Sequence, residues 1–276
     1  MRFRRAASYM ILTFLCAAWI GPFYATVIAA LKTNREFATS PFWVPPVSPI
    51  DSLVENLRTA WVDGSVQHYF FNSLIYACVG SVAATLVASL AAFPIARLKF
   101  RGSSFVFYLI MCGTFFPFQM YIIPLLQLWI KLNLYNTNLG MQLVYTAICI
   151  PFVVFLLRNY LITIPSDLQD AARIDGLSYF GMYWRIFLPL SLPAIAVGIT
   201  FQFIWIWNDL LFGLVLTSSP TTRNIMAGIT TLSGSISYTY ATLSAVSLIA
   251  ATPTIVVFIL LQRYVTRGIL LGAVKK

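Results

Sequence analysis

Charge is scarce in this chain. Asp, Glu, Lys and Arg make up 9% of its 276 residues, and only 8 of these are acids. A soluble globular domain carries about 25% charged residues, so an ordinary water-facing surface is excluded. Histidine is nearly absent: His68 stands alone in a polar segment and reads as a titratable surface residue. The four cysteines, Cys16, Cys78, Cys112 and Cys149, lie far apart without metal-ligand spacing and read as small packing residues. No metal centre is expected. A Gly-rich phosphate cradle is also missing. The chain is therefore not expected to bind or hydrolyse nucleotide by itself, and neither a catalytic residue nor a cofactor is assigned. Segments of about ten residues alternating apolar and polar, the sign of a membrane β-barrel, do not occur.

Apolar residues are what the chain has in excess, at 59% of the total with a mean hydropathy of +0.82. They gather into six runs, at 8–31, 71–96, 104–129, 138–162, 190–216 and 240–262. Each exceeds the roughly 18 residues needed to cross a bilayer as a helix. The expectation is an all-α, polytopic membrane protein with six transmembrane helices in one domain, residues 1–276. The N-terminus resembles a secretory signal, but its apolar stretch is long and no small-x-small cleavage site closes it, so it reads as an uncleaved first span.

The net charge of +10 is mostly a topology signal. Arg2, Arg4 and Arg5 precede the first run, and Arg97, Lys99 and Arg101 sit between the second and third. Arg158, Arg173 and Arg185 flank or occupy the segment before the fifth run; Arg263, Arg267, Lys275 and Lys276 follow the last. Only Lys32, Arg35, Arg58, Lys131 and Arg223 fall on the opposite side. The positive-inside rule then places both termini in the cytoplasm. Nucleic acid is not an expected partner, because no basic and aromatic cluster sits on a soluble face. Membrane lipid is.

Two outer loops follow from this orientation. In residues 33–69, Leu53, Val54, Leu57, Ala60 and Trp61 share one helical face, so a short surface helix is expected there. Residues 217–239 are rich in Ser, Thr and Gly, which suits a mobile spacer or a probe that touches a partner; composition does not separate the two.

The cytoplasmic stretch at about 163–189 is longer than a connection needs. Ser166 and Asp167 suit a helix start, as side-chain cap and as dipole partner. Leu168, Ala171, Ala172 and Asp175 share a face on which the paired alanines admit a close partner, and Gly176 suits a left-handed stop. Phe180, Tyr183, Trp184 and Phe187 then form an aromatic stripe of the kind that anchors a helix at the membrane interface, with Ser178, Gly181 and Arg185 facing away. A docking element for something outside the membrane is expected.

The motif Asp170-Ala171-Ala172, Asp175-Gly176, then Ile186 and Leu188-Pro189 resembles the cytoplasmic loop of the permeases of ATP-binding-cassette (ABC) importers. That family's loop carries Glu-Ala-Ala, Asp-Gly-Ala and Ile-x-Leu-Pro, with nine residues between the Gly and the Ile, and this chain keeps that spacing. Asp170 stands in place of the Glu, on a shorter arm, and Leu177 in place of the small residue after Gly. Asn72-Ser73, Trp207-Asn208-Asp209, Gln262-Arg263-Tyr264, Gly268 and Gly272-Ala-Val-Lys275 are similar to the shorter permease subunit of the maltose-type, carbohydrate-importing branch. The resemblance implies a type I ABC importer permease fold in the prokaryotic inner membrane. It also implies a second permease subunit, two ATPase subunits and an extracytoplasmic solute-binding protein. Asp170, Ala171, Ala172, Asp175, Gly176 and Ser178 are the implied ATPase-coupling residues, and a di- or oligosaccharide is the implied solute. ATP-driven closure of the ATPase pair would move the loop and tilt the spans it joins, alternating outward and inward openings.

Asp209 is the one acid expected inside a span. With Trp207 and Asn208 it is a candidate for the translocation path, or else a brace between helices. Phe201, Phe203, Trp205 and Trp207 alternate, so at most two share a helical face, for contact with a sugar ring, lipid or another subunit. A secondary transporter or channel would need further intramembrane acids or broken repeats. A membrane-embedded enzyme would need a cluster of His, Ser or acid residues.

Overall fold

The computed structural model describes residues 2–41, 43–98, 100–234 and 239–273, with side chains described between Ser8 and Leu260. Among the described residues all regular structure is helical. In chain order the α-helices are α1 (Arg2–Ala30), α2 (Asn34–Thr39), α3 (Pro49–Arg58), α4 (Val66–Phe93), α5 (Ser103–Cys112), α6 (Phe118–Lys131) and α7 (Asn138–Thr163). After these come α8 (Asp167–Ile174), α9 (Tyr179–Met182), α10 (Leu188–Leu190), α11 (Leu192–Trp207), α12 (Leu211–Leu216), α13 (Ile225–Ser233) and α14 (Tyr240–Ala273). The chain divides into two compact units, Met1–Tyr69 with Gly228–Pro253, and Phe70–Ala227 with Thr254–Lys276.

Among the described residues, four helices are long and apolar enough to cross a membrane: Ser8–Ala30, Val66–Leu98, Asn138–Thr163 and Tyr240–Leu260. They correspond to the first, second, fourth and sixth apolar runs. The expected continuous helix at 104–129 is corrected, because it breaks into α5 and α6. Pro117 lacks an N–H and disfavours helical geometry at Phe116. Before it the chain tightens through three short-range bonds, from the N–H of Gly113, Thr114 and Phe115 to residues three back, at 3.2, 2.9 and 3.1 Å. The run at 190–216 is not one helix either. Leu192–Trp207 pairs with Tyr179–Leu190 across a 72° bend, and the chain restarts at Leu211.

In the first unit, every residue of α1 from Ser8 to Tyr24 is exposed, as suits a helix whose surroundings are lipid or another chain. Its C-terminal end is tied down by α3, where Asn56 Nδ2 donates to the carbonyls of Ala30 and Lys32, each at 3.0 Å. Lys32, 1% exposed, donates to Pro41 O at 2.6 Å and Ser40 Oγ at 2.9 Å. The expected outer helix exists. On its expected face Ala60 is buried and Leu53, Leu57 and Trp61 are half-buried, with Val54 the exception at 59% exposed, and Ser52 and Asn56 also point inward. The terminal carbonyls of α1 need donors, and that requirement turns Asn56 inward.

The second unit holds the larger core. Small residues at near-four-residue spacing on α4, Ala77, Ser81, Ala84, Ala88 and Ala92, are all fully buried and let neighbouring backbones approach closely. Ala88, Ala92 and Phe93 pack with Phe107 of α5 and Val153, Val154, Leu157 and Leu161 of α7. The same cluster takes in Ala172, Met182, Tyr183 and Phe187 from residues 163–189.

Candidate functional site

The segment at 163–189 folds as a hook built into this core. Helix α8 begins at Ser166, whose hydroxyl makes no cap; its backbone carbonyl instead accepts from Gln169 N at 2.8 Å and Asp170 N at 3.1 Å. The expected side-chain cap is thus corrected, since Ser166 itself has helical geometry, with φ −66° and ψ −30°. Asp167 and Asp170 occupy the first turn, where the helix dipole favours acids. The stop is as expected. Gly176 has φ +74°, Leu177 N donates to Ala172 O at 3.0 Å and Gly176 N to Arg173 O at 3.0 Å. This pair of bonds is a Schellman motif, and Leu177 packs against the core cluster as its apolar contact.

The paired alanines do not do the same thing. Ala171 is exposed, while Ala172 is 2% exposed and packs inside the chain's own core. The reading of Ala172 as a docking face is corrected, because packing against α4 and α7 already fills that side. Asp170 and Asp175 are exposed, and among the described residues their carboxylates have no hydrogen-bond or ion-pair partner. Ile174, 87% exposed, and Leu168, 41% exposed, complete an outward apolar edge.

Ser178 caps α9 by accepting from Gly181 N at 3.2 Å. A π-helical turn over Tyr183–Phe187 follows. Its wider winding breaks the 3.6-residue period, so the expected aromatic stripe splits. Tyr183 and Phe187 are buried against Phe93, at ring distances of 5.6 and 5.1 Å, while Phe180 and Trp184 remain exposed. Tyr183 Oη shares a 2.7 Å hydrogen bond with Ser89 Oγ of α4. Arg97, just beyond α4, lies 4.9 Å above the Phe187 ring, donates to Ile164 O, and its carbonyl accepts from Gln169 Nε2 at 3.4 Å. The hook is thereby fastened to the ends of α4 and α7.

The three translocation-path candidates do not form one lining. Trp207 is fully buried, stacked on Phe203 at 6.1 Å and edge-on to Phe70 at 5.4 Å. Asn208 is exposed, and its amide donates back to Ile204 O at 2.7 Å. Asp209, 9% exposed, accepts from Tyr145 Oη at 2.9 Å, from Gly213 N at 3.1 Å and from Phe212 N at 3.4 Å. Asn224 Nδ2 adds a bond to Asp209 O at 2.7 Å. Asp209 is a brace that starts α12 and ties it to α7 and to the chain before α13.

An open cavity of about 860 Å³ lies elsewhere in the second unit, between the break in the third run, α7 and α11. Thr114, Phe116, Phe118 and Tyr121 line one side; Phe152, Phe201, Gln202 and Trp205 line another. The aromatic alternation resolves into two pairs, Phe201 and Trp205 facing this cavity, Phe203 and Trp207 packed inside. Sequence reasoning missed Gln202 and the cavity; the available signal was Gly113 and Pro117 interrupting an apolar run.

Residues 217–225 are pinned rather than mobile. Asn136 Oδ1 accepts from Ser218 N at 2.8 Å, Ser219 N at 3.0 Å and the Thr222 hydroxyl. Asn72 Nδ2 donates to Pro220 O and Arg223 O at 3.1 and 3.0 Å. The Ser and Thr content there supplies hydrogen bonds, which corrects the inference of mobility for this half. Ser235 falls outside the described residues, as do Lys99 and the side chains of Gln262, Arg263, Tyr264 and residues 268–275.

Residues 80–270 match the family described as binding-protein-dependent transport system inner membrane component. The osmoprotective compounds uptake permease protein of Synechocystis is 33% identical, covering 93% of this chain and 88% of that protein. The arabinooligosaccharides transport system permease protein of Halalkalibacterium halodurans is 35% identical, covering 95% and 93%. The alpha-glucoside transport system permease protein of Rhizobium meliloti is 35% identical over 84% of this chain and 61% of its own. Among solved structures, a bacterial ABC transporter involved in import of the acidic polysaccharide alginate matches with a TM-score of 0.83 at 20% identity, covering 95% of this chain and 96% of that one. That likeness bears on the fold.

Proposed function

Starting from a chain that belongs to the family of binding-protein-dependent transport system inner membrane components, we propose that it is one of two permease subunits of an ATP-driven importer of a di- or oligosaccharide. Two ATPase subunits and an extracytoplasmic solute-binding protein complete the assembly. Relatives named for arabinooligosaccharides and alpha-glucosides support the solute class. Residues 1–276 act as one permease domain with six crossings, the third broken and the fifth bent, and both termini lie in the cytoplasm.

The observation that carries this reading is the hook at 163–189. One side of it is fused to the ends of α4 and α7, and the other presents Ala171, Ile174, Asp170 and Asp175 outward, all exposed. A rigid body docked there moves the spans directly. Exposed carboxylates suit basic side chains on an ATPase cleft, with Gly176 and Ser178 holding the bend that presents them. The outer loop at 217–239, whose first residues are held by Asn136, is the segment we assign to contact with the loaded binding protein. Ion-coupled transport is disfavoured because Asp209 already has its oxygens engaged as a structural acceptor.

Affinity purification of the tagged chain from its native membrane tests the proposal. An ATP-binding subunit and a second permease are expected to copurify in stoichiometric amounts. A chain that purifies intact and still transports without an ATPase contradicts it.

A further inference from the structure

The family reading leaves open whether this chain touches the solute, and the cavity bears on that question. Its floor is the interrupted third run. Non-helical backbone at membrane depth persists only when buried in protein or lining a wet cavity. Here Thr114 and Phe116 line the cavity, and their carbonyls accept no hydrogen bond among the described residues.

Gln202 is the second observation. It is 6% exposed, lines the cavity, and its amide has no hydrogen-bond partner among the described residues. Its polar atoms are not sealed within protein, so the cavity is the place left for them to find partners. An amide that faces a cavity offers both donors and an acceptor. Its complement is a group that does the same, such as a hydroxyl.

The walls narrow the ligand further. Among the described residues, none that lines the cavity is charged. Phe201 and Trp205, one turn apart on α11, and Phe116, Phe118 and Tyr121 across from them offer aromatic faces. Such faces carry negative charge density and attract the weakly positive C–H surface of a pyranose ring. The volume falls within the roughly 300–1,000 Å³ usual for small-molecule sites.

We propose that the cavity between the broken third span, α7 and α11 is a saccharide subsite within this subunit: a neutral sugar ring lies against Trp205 and Phe201, and its hydroxyls bond the Gln202 amide and the free carbonyls of the break. This rests on the carbohydrate reading above. The subsite gives the solute a resting point on this chain after its release from the binding protein.

The test uses the complete transporter in proteoliposomes with its binding protein, and radiolabelled maltose and diacetylchitobiose as probes. A Thr114→Cys variant, with the four native cysteines replaced, reports access to the cavity by its rate of maleimide labelling. The transported probe is expected to slow labelling at least about fivefold, and Gln202→Leu to abolish that protection. Gln202→Leu fills the same space without the amide, so it should fold. Saccharide imported per ATP hydrolysed should fall about tenfold, in line with loss of one or two hydrogen bonds, and Trp205→Ala should do likewise while Trp205→Phe is milder. Import by the parent with no protection at Thr114→Cys overturns the subsite and leaves the importer reading standing. Protection by added fatty acid but not by saccharide identifies a lipid pocket and also overturns it. A parent that imports neither probe nor any other neutral saccharide removes the carbohydrate reading and the subsite together.

Discussion

Asp209 illustrates how an intramembrane acid can be structural. Its carboxylate collects the Tyr145 hydroxyl and the Gly213 and Phe212 amides, and its carbonyl takes the Asn224 amide. Asp209→Ala leaves the Tyr145 hydroxyl and the Gly213 and Phe212 amides without the carboxylate, so a loss of about 2–3 kcal/mol is expected, seen as a lower melting temperature of the detergent-solubilised assembly. Asp209→Asn keeps one acceptor oxygen and should cost less, with uptake retained. Equal stability of Asp209→Ala and the parent contradicts the brace. Sequence gave both readings of this residue and lacked the partner that decides between them, because Tyr145 and Asn224 lie 64 and 15 positions away. Asn56 was illegible for the same reason: its role is to satisfy carbonyls 26 and 24 positions earlier. Residues whose chemistry is completed within a few positions, Gly176 among them, were legible.

At the scale of the element, the ending of α8 makes a sharp expectation. A Cβ at position 176 meets nothing within 4 Å, so Gly176→Ala tests backbone conformation alone. Holding a side-chain-bearing residue at φ +74° costs roughly 1–2 kcal/mol. Faster hydrogen exchange of the Leu177 amide in that variant checks it; unchanged exchange contradicts the left-handed stop. Helix α2 gives a pH-dependent counterpart. Glu36 accepts from Thr33 N and Val47 N, each at 2.8 Å, and from the Thr33 hydroxyl, and these bonds hold its carboxyl below the ordinary 4.5. A depressed carboxylate stabilises the fold above its unfolded pKa, and that contribution disappears as pH falls through the lower, folded value. Exchange at the Val47 amide is therefore expected to rise relative to its neighbours below about pH 4.5, and Glu36→Gln should remove the pH dependence. The helices themselves were legible from hydropathy, but hydropathy does not register where a helix breaks. The interruption at Gly113–Pro117 and the π turn at Tyr183–Phe187 change which side chains share a face without changing composition.

For the whole molecule, the orientation we propose rests on where Lys and Arg fall, and it is testable at two exposed positions. Val47 and Ile174 are each 87% exposed. In a background without native cysteines, Val47→Cys should react with an impermeant thiol reagent in intact cells, whereas Ile174→Cys should react only after the membrane is opened. Labelling of Ile174→Cys from outside reverses the topology.

The central claim is that the outward face of the hook transmits ATP hydrolysis to the spans. Ala171 is the residue for this measurement, because it is exposed and its replacement leaves the core intact, whereas Ala172→Trp disturbs packing against α4 and α7 and reports on folding. The decisive quantity is solute imported per ATP hydrolysed by the reconstituted transporter carrying Ala171→Trp. A fall of at least about tenfold, with the permease still inserted and the ATPase still turning over, is expected from a blocked close approach; a ratio equal to the parent's contradicts the account.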